Sequence, residues 1–159
     1  MRRRLLLSSF TLALAGCAGG PLLPGWGDVT AAPEGPVGLA SEQRRLARYF
    51  DGTPVVFEMV GEGRMRVTVP LVHSFESGRT AVKPALGAVL EKLAQSQRLQ
   101  DTRFEVIGPA DKPSGRLLAD DRAASMRDYL VAQGITRVRF TAVSGDVRAP
   151  AVEIRVSER

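Results

Sequence analysis

Residues 104–134 have the sequence FEVIGPADKPSGRLLADDRAASMRDYLVAQG, in which a short strand pattern is followed by a turn and a long helical pattern. The apolar residues in Phe104–Ile107 indicate a strand, and the pair Gly108-Pro109 predicts its end. From about Ser114 to Gln133 apolar residues recur at helical spacing, and Gly134 is suited to cap the helix. The predicted apolar stripe consists of Leu118, Ala119, Ala123, Met126 and Leu130.

Strand and helix patterns flank this segment on both sides. Upstream, the sequence predicts a helix, a hairpin and a second helix: Ser41–Phe50, Pro54–Val60 with Arg64–Leu71, and a stretch that begins at Pro84. Downstream, it predicts two strands joined by a turn: one with Val138, Phe140 and Ala142 on its inner face, the turn Ser144–Asp146, and one over Val152–Val156. This order predicts an α+β fold in which two helices pack on one face of a mixed sheet.

Composition and charge exclude several classes of protein. The 159 residues are enough for one domain, and the formal charge of +5 includes Arg2, Arg3 and Arg4. Without these three, 19 basic residues face 17 acidic ones, which leaves +2 and gives little support for nucleic acid as a partner. One cysteine excludes an internal disulfide, and one histidine excludes a multi-histidine metal site, so no metal or cofactor is expected.

Residues 1–16 have the features of a signal peptide: a charged start, a short apolar stretch and small residues at its end. The apolar stretch Leu5–Ala15 is too short to span a bilayer, which takes roughly 20 helical residues. It leads into Leu14-Ala15-Gly16-Cys17, which resembles the lipobox of bacterial lipoproteins. The resemblance implies cleavage before Cys17 and attachment of lipid to its thiol. The alternative is an ordinary secretory leader cut after Ala15, which would leave a free thiol.

Residues 17–40 are dominated by glycine, proline and alanine, and no helical or strand period survives there. This stretch predicts a flexible linker between a lipidated Cys17 and a folded domain over residues 41–159. Ala18 occupies the position at which an aspartate would signal retention in the inner membrane. The expected location is therefore the outer membrane, with a lipid anchor and the domain facing the periplasm.

A series of short motifs resembles the OmpA-like peptidoglycan-binding domain over roughly residues 55–157. In chain order the motifs are His73–Ser77 ahead of Pro84, Gly108–Asp111, Gly115–Ala123, Tyr129-Leu130, Gln133-Gly134, Gly145-Asp146 and Ala149–Ile154. The resemblance implies the α+β fold predicted above and a binding protein without enzymatic activity.

The resemblance also implies a ligand and two residues that hold it. In OmpA-like domains an aspartate and a helix arginine grip diaminopimelate of the peptidoglycan stem peptide, and they match Asp111 and Arg122. A carboxylate suits the ammonium of this ligand, and a guanidinium can form two parallel bonds to a carboxylate. Pro109, Ala110 and Gly115 replace polar residues of the family, however, and the loop between Asp111 and Arg122 is shorter. The alternative is that the two side chains simply pair with each other.

Two functions follow from these expectations. The first is a peptidoglycan-binding lipoprotein that tethers the outer membrane to the cell wall. The second is a degenerate OmpA-like domain that serves as a protein–protein interaction module in an envelope complex. The expected partners are the stem peptide, the membrane through the lipid, and other envelope proteins, and both functions are non-enzymatic.

The lipobox resemblance makes Cys17 the site of lipid attachment. When the chain is produced in bacteria fed radiolabelled palmitate, the wild-type protein should carry the label and Cys17→Ser should carry none, because serine has no thiol to form the thioether. The matched control is Ser9→Ala, a change in the apolar stretch outside the lipobox, which should leave labelling intact. Equal labelling of wild type and Cys17→Ser would contradict the assignment.

Overall fold

The computed structural model describes residues 38–159. The predicted signal peptide, Cys17 and nearly all of the predicted linker lie outside the described residues. The first described helix begins at Leu39, two residues before the predicted start of the domain. Within residues 38–159, no helix is both long and apolar enough to cross a membrane.

Five strands form one mixed sheet in the order β1-β2-β5-β3-β4. The strands are β1 (Val56–Met59), β2 (Arg64–Pro70), β3 (Thr102–Pro109), β4 (Phe140–Asp146) and β5 (Ala151–Glu158). β1 and β2 form the predicted hairpin, β5 lies antiparallel between β2 and β3, and β3 and β4 are parallel. The parallel pair follows from the long helix between them, because a crossover returns the chain in the same direction.

Four helices accompany the sheet in the described part of the chain. They are α1 (Leu39–Tyr49), α2 (Leu71–Ser74), α3 (Pro84–Gln97) and α4 (Arg116–Ala132). Pro84 is the first residue of α3, as predicted, since its missing N–H has no partner to lose there. The one-turn helix α2 was not predicted, because four residues are too few for a helical period to be visible.

The core lies between the sheet and the helices. Val67, Ile154 and Val106 stand side by side on β2, β5 and β3, and all three are fully buried. Apolar residues of α3 and α4 join the same cluster: Leu86, Val89, Leu90, Leu93, Ala94, Ala123, Met126 and Leu130. The α+β fold predicted from the sequence is therefore confirmed.

The prediction for the start of β4 is wrong. Val138 is 87% exposed within a short 3-10 turn, and Ala142 is also exposed. Val138 lies outside the strand, which begins at Phe140. Ala142 is exposed because β4 has an extra residue: Phe140 pairs with Phe104, but Glu105 pairs with Ala142, so Thr141 bulges out of register. Past the bulge the alternation of faces changes, and Val143 packs against the core instead.

Gly108 and Gly145 are neighbours on β3 and β4, and α4 crosses directly over them. A Cβ atom on Gly108 would lie 2.6 Å from the backbone nitrogen of Ala123, and one on Gly145 would lie 2.6 Å from Cβ of Ala119. Gly108-Pro109 was predicted to end a strand, and β3 does end at Pro109, whereas Gly145 was predicted to lie in a turn and lies in β4 instead. Their missing side chains let the first half of α4, including Arg122, approach the sheet closely.

Gly108→Ala should therefore destabilise the protein. The methyl group overlaps the α4 backbone, which cannot move aside like a side chain, so we expect the free energy of unfolding to fall by about 1–3 kcal/mol or more. The measurement is urea denaturation of the purified protein followed by circular dichroism. Gly38→Ala is the control, since no atom lies within 4 Å of its Cβ position. Equal urea midpoints for Gly108→Ala and Gly38→Ala would show that the close approach of α4 to the sheet is not needed for stability.

Candidate functional site

Asp111 and Arg122 meet where β3 leads into α4. Asp111 lies in the loop after β3, and Arg122 lies early in α4, above Gly108 and Gly145. Nη1 of Arg122 is 2.8 Å from Oδ1 of Asp111. The arginine side chain is fully buried, whereas the aspartate side chain is 21% exposed.

The Arg122 guanidinium is surrounded by acceptors of its own chain. Nε donates to the carbonyl of Arg79 at 2.9 Å, Nη2 donates to the carbonyl of Glu76 at 3.0 Å, and Nη1 donates to the carbonyl of Pro109 at 3.1 Å. Counting the bond to Asp111, one N–H of Nε, two of Nη1 and one of Nη2 are engaged, which is four of the five donors. The guanidinium carbon also lies 5.0 Å from the centre of the Phe75 ring.

Asp111 contacts the loop after Phe75, the same loop whose Glu76 and Arg79 carbonyls accept from Arg122. Its Oδ2 accepts a hydrogen bond of 2.6 Å from the backbone N–H of Gly78 and one of 3.4 Å from Oγ of Ser77. The hydrogen bond from Arg122, and then the Gly78 N–H, lower the pKa of the Asp111 carboxyl from its ordinary value. Asp111 is therefore a carboxylate at neutral pH, and part of it faces solvent.

The structure brings together Asp111 and Arg122, the two residues that the resemblance singled out, but not in the expected arrangement. The resemblance implied that both side chains hold one ligand between them, whereas the structure places the two in direct contact with each other. The contact arises because α4 lies low over the glycines and the loop after Phe75 covers the guanidinium. A role of Asp111 and Arg122 in holding a ligand remains a prediction.

The three positions at which the family has polar residues contribute no side-chain donor here. The Pro109 carbonyl accepts a bond from Arg122, Ala110 is buried, and a Cβ on Gly115 would lie 3.1 Å from Cβ of Ala110. The loop closes tightly at this point, with the Gly115 N–H donating to the carbonyl of Lys112. The small residues therefore let the shortened loop pack against itself.

Sequence reasoning did not identify the covering loop or the role of Asp120. The loop acts through backbone groups of Glu76, Gly78 and Arg79, which leave no side-chain signal in the sequence. Asp120 accepts a 2.6 Å hydrogen bond from the Gly145 N–H and pairs with Arg116 at 2.9 Å, so it ties α4 to β4. Across residues 38–159, no three His, Cys, Asp or Glu side chains are grouped to hold a metal ion.

The chain matches no family model and no curated protein. Among solved structures, a MotB-like protein from Desulfovibrio vulgaris is 17% identical with a TM-score of 0.62, and the match covers 76% of this chain and 92% of that one. The cell wall anchor of the T6SS from Pseudomonas aeruginosa is 25% identical with a TM-score of 0.62, and the match covers 73% and 96%.

A third similar structure is the periplasmic domain of MotB from Helicobacter pylori. It is 22% identical with a TM-score of 0.55, and the match covers 71% of this chain and 83% of that one. These likenesses agree with the fold that the OmpA-like resemblance implied.

The lowered pKa of Asp111 predicts a pH-dependent contribution to stability. A carboxyl whose pKa is lower in the folded than in the unfolded chain stabilises the fold above the unfolded value of about 4, and the contribution is lost as pH falls through the lowered pKa. Asp111→Asn should therefore be less stable than wild type at pH 7, and the difference should shrink towards pH 2.

Urea denaturation of both proteins at several pH values measures this difference. Asp121→Asn is the matched control, because Asp121 is an exposed aspartate on α4. We expect it to stay within about 0.5 kcal/mol of wild type at pH 7. A gap between wild type and Asp111→Asn that is the same at pH 7 and pH 2 would contradict the stabilising role of the ionised carboxylate.

Proposed function

We propose that this chain is a non-enzymatic lipoprotein that tethers the outer membrane to peptidoglycan through its folded domain in the periplasm. Lipid on Cys17 supplies the membrane end of the tether. The wall end is the surface around Asp111, which recognises diaminopimelate of the stem peptide.

The observation that carries this proposal is the partly exposed carboxylate of Asp111. Its Oδ1 is fixed by the buried Arg122, and its Oδ2 is held by weaker neutral donors at the solvent side. An ammonium group of diaminopimelate can approach Oδ2 and form a charge-assisted hydrogen bond, which is stronger than one from a neutral donor. The carboxylate is ionised and oriented before the ligand arrives, so little order has to be gained on binding.

With the loop closed over it, Arg122 acts as a positioning residue. Its guanidinium keeps Asp111 ionised and fixes the direction of the carboxylate, and its own donors are largely engaged by backbone carbonyls. With the loop closed, a ligand touches Asp111 and not the guanidinium.

A site with one accessible charge binds weakly, and a tether does not need strong single contacts. A hydrogen bond to a charged group contributes about 1.5–3 kcal/mol, and a millimolar affinity corresponds to about 4 kcal/mol. Lipid attachment would keep the domain near a wall whose ligand repeats, and tethering of this kind gives effective concentrations of about a millimolar or more. Many weak contacts made by many copies would then hold the two surfaces together.

The structural comparisons support an association with the wall. One similar structure is described as a cell wall anchor, and it shares 25% of its sequence with this chain over 96% of its length. The expected location in the periplasm agrees with the MotB periplasmic domain among the similar structures.

One observation favours the alternative of a protein–protein interaction module. The Asp111–Arg122 pair is nearly complete without any ligand, because the chain's own carbonyls and N–H groups fill most of its hydrogen-bonding positions. In a degenerate domain the pair would only hold the loop in place, and the partner would be another envelope protein.

Cosedimentation with purified peptidoglycan that contains diaminopimelate separates the two functions. The full-length chain in mild detergent should sediment with the wall, and Asp111→Asn should bind roughly ten to a hundred times more weakly, because the ammonium loses its charged acceptor. Asparagine still offers an oxygen to Arg122, so the fold is disturbed as little as the test allows.

Asp121→Asn is the control and should bind like wild type. Raising the salt concentration should weaken binding of the wild type, since a partly exposed ion pair is screened. Wall binding that is equal in wild type and Asp111→Asn would exclude the proposed site, and no binding by any of the three proteins would favour the interaction module.

A further inference from the structure

Residues 76–81, here called the strap, form the loop that covers Arg122. Both ends of the strap are fixed: Phe75 is buried, it forms an isolated bridge with Val82, and the N–H of Lys83 donates to the carbonyl of Ser74 at 2.9 Å. An ion pair of 2.9 Å between Glu76 and Lys83 closes the base of the loop. None of the residues between these anchors belongs to the apolar core.

Within the described part of the chain, only polar contacts hold the tip of the strap, residues 76–79, to Asp111 and Arg122. The carbonyls of Glu76 and Arg79 accept from Arg122, and the N–H of Gly78 and the hydroxyl of Ser77 donate to Asp111. The side chains of residues 76–79 are exposed, so the tip buries no apolar side chain that opening would have to expose. A segment held in this way is a candidate for local opening below the energy of global unfolding.

A zwitterionic ligand presents the two groups that can replace these contacts. A carboxylate is a stronger acceptor for the guanidinium than the two neutral carbonyls, and an ammonium is a stronger donor to Asp111 than a backbone N–H. The carbonyls and the N–H released from an exposed tip would be hydrated by water, so opening leaves no buried polar group without a partner.

We propose that the strap is a lid that opens locally and turns Arg122 from a buried positioning residue into the carboxylate-binding half of the site. This inference rests on the proposed function, because it assumes a wall ligand that carries an ammonium and a carboxylate. Asp111 couples the two halves, since its Oδ2 holds the strap and its Oδ1 holds Arg122. An ammonium that displaces Gly78 from Oδ2 therefore also loosens the cover over the guanidinium.

Gly78→Ala tests the lid directly. Gly78 has φ +69°, which L-residues disfavour, and nothing lies within 4 Å of its Cβ position, so alanine strains the closed strap without a clash. The strain should shift the equilibrium towards the open strap roughly five- to thirtyfold. Gly52→Ala is the matched control, because Gly52 has φ +76° and an equally open Cβ position in the loop between α1 and β1.

The first readout does not depend on wall binding. The full-length chain is treated with phenylglyoxal, an arginine-selective reagent, and labelling of each arginine is followed by peptide mass spectrometry. Arg122 should react roughly five to thirty times faster in Gly78→Ala than in wild type or Gly52→Ala. Arg139, whose guanidinium donates to the carbonyls of Gln97 and Thr102, is the internal control and should react at one rate in all three proteins.

The second readout is cosedimentation with peptidoglycan, in which Gly78→Ala should bind more tightly than wild type, by no more than the same factor. Unchanged labelling of Arg122, or acceleration of Arg122 and Arg139 together, would overturn the lid. Faster labelling of Arg122 combined with weaker wall binding would also overturn it, because the closed strap would then be part of the binding surface. Faster labelling with no wall binding by any variant would leave the opening of the strap intact and refute the proposed function.

Discussion

The buried guanidinium of Arg122 is the group on which this end of the molecule depends. It joins the end of β3, the loop before α3 and the loop before α4, through the carbonyls of Pro109, Glu76 and Arg79 and the carboxylate of Asp111. A buried charge is tolerated only when its donors are satisfied and an opposite charge is near. Three of these four partners lie outside regular secondary structure, since only Pro109 belongs to a strand. In the closed arrangement, both loops therefore satisfy the hydrogen-bonding groups of this one side chain.

The position of Arg122 depends in turn on the approach of α4 to the sheet. Gly108 and Gly145 leave no side chains between the helix and β3 and β4, and Asp120 fastens α4 to the Gly145 N–H. The close approach puts Arg122 level with the last residues of β3, so that its guanidinium reaches the Pro109 carbonyl. The same contacts therefore determine how α4 packs on the sheet and where Arg122 lies in the site. A substitution that shifts α4 would also shift Arg122.

The proposed wall-binding site follows from this closed arrangement. Pro109, Ala110 and Gly115 offer no polar side chain that could orient a ligand, whereas Asp111 and Arg122 form an ion pair. Backbone groups of the strap bond to both members of this pair. Under the proposed function, a lipid-anchored protein that faces a repeating wall would not need high affinity in a single contact, and a ligand with both charges would displace the strap best.

The sequence by itself determined the order of the five strands and the three longer helices, the start of α3 at Pro84, the hairpin of β1 and β2, and the choice of Asp111 and Arg122 as candidate site residues. These features are local, since each depends on periodicity, a special residue or a short motif. The tertiary structure alone decided that Thr141 bulges from β4, that Gly108 and Gly145 lie beneath a helix, and that Arg122 is covered. Each of these features depends on contacts between segments far apart in the chain. The contacts that close the site are made largely by backbone carbonyls and N–H groups. Nearly every residue has these groups, so the sequence carries no signal for them.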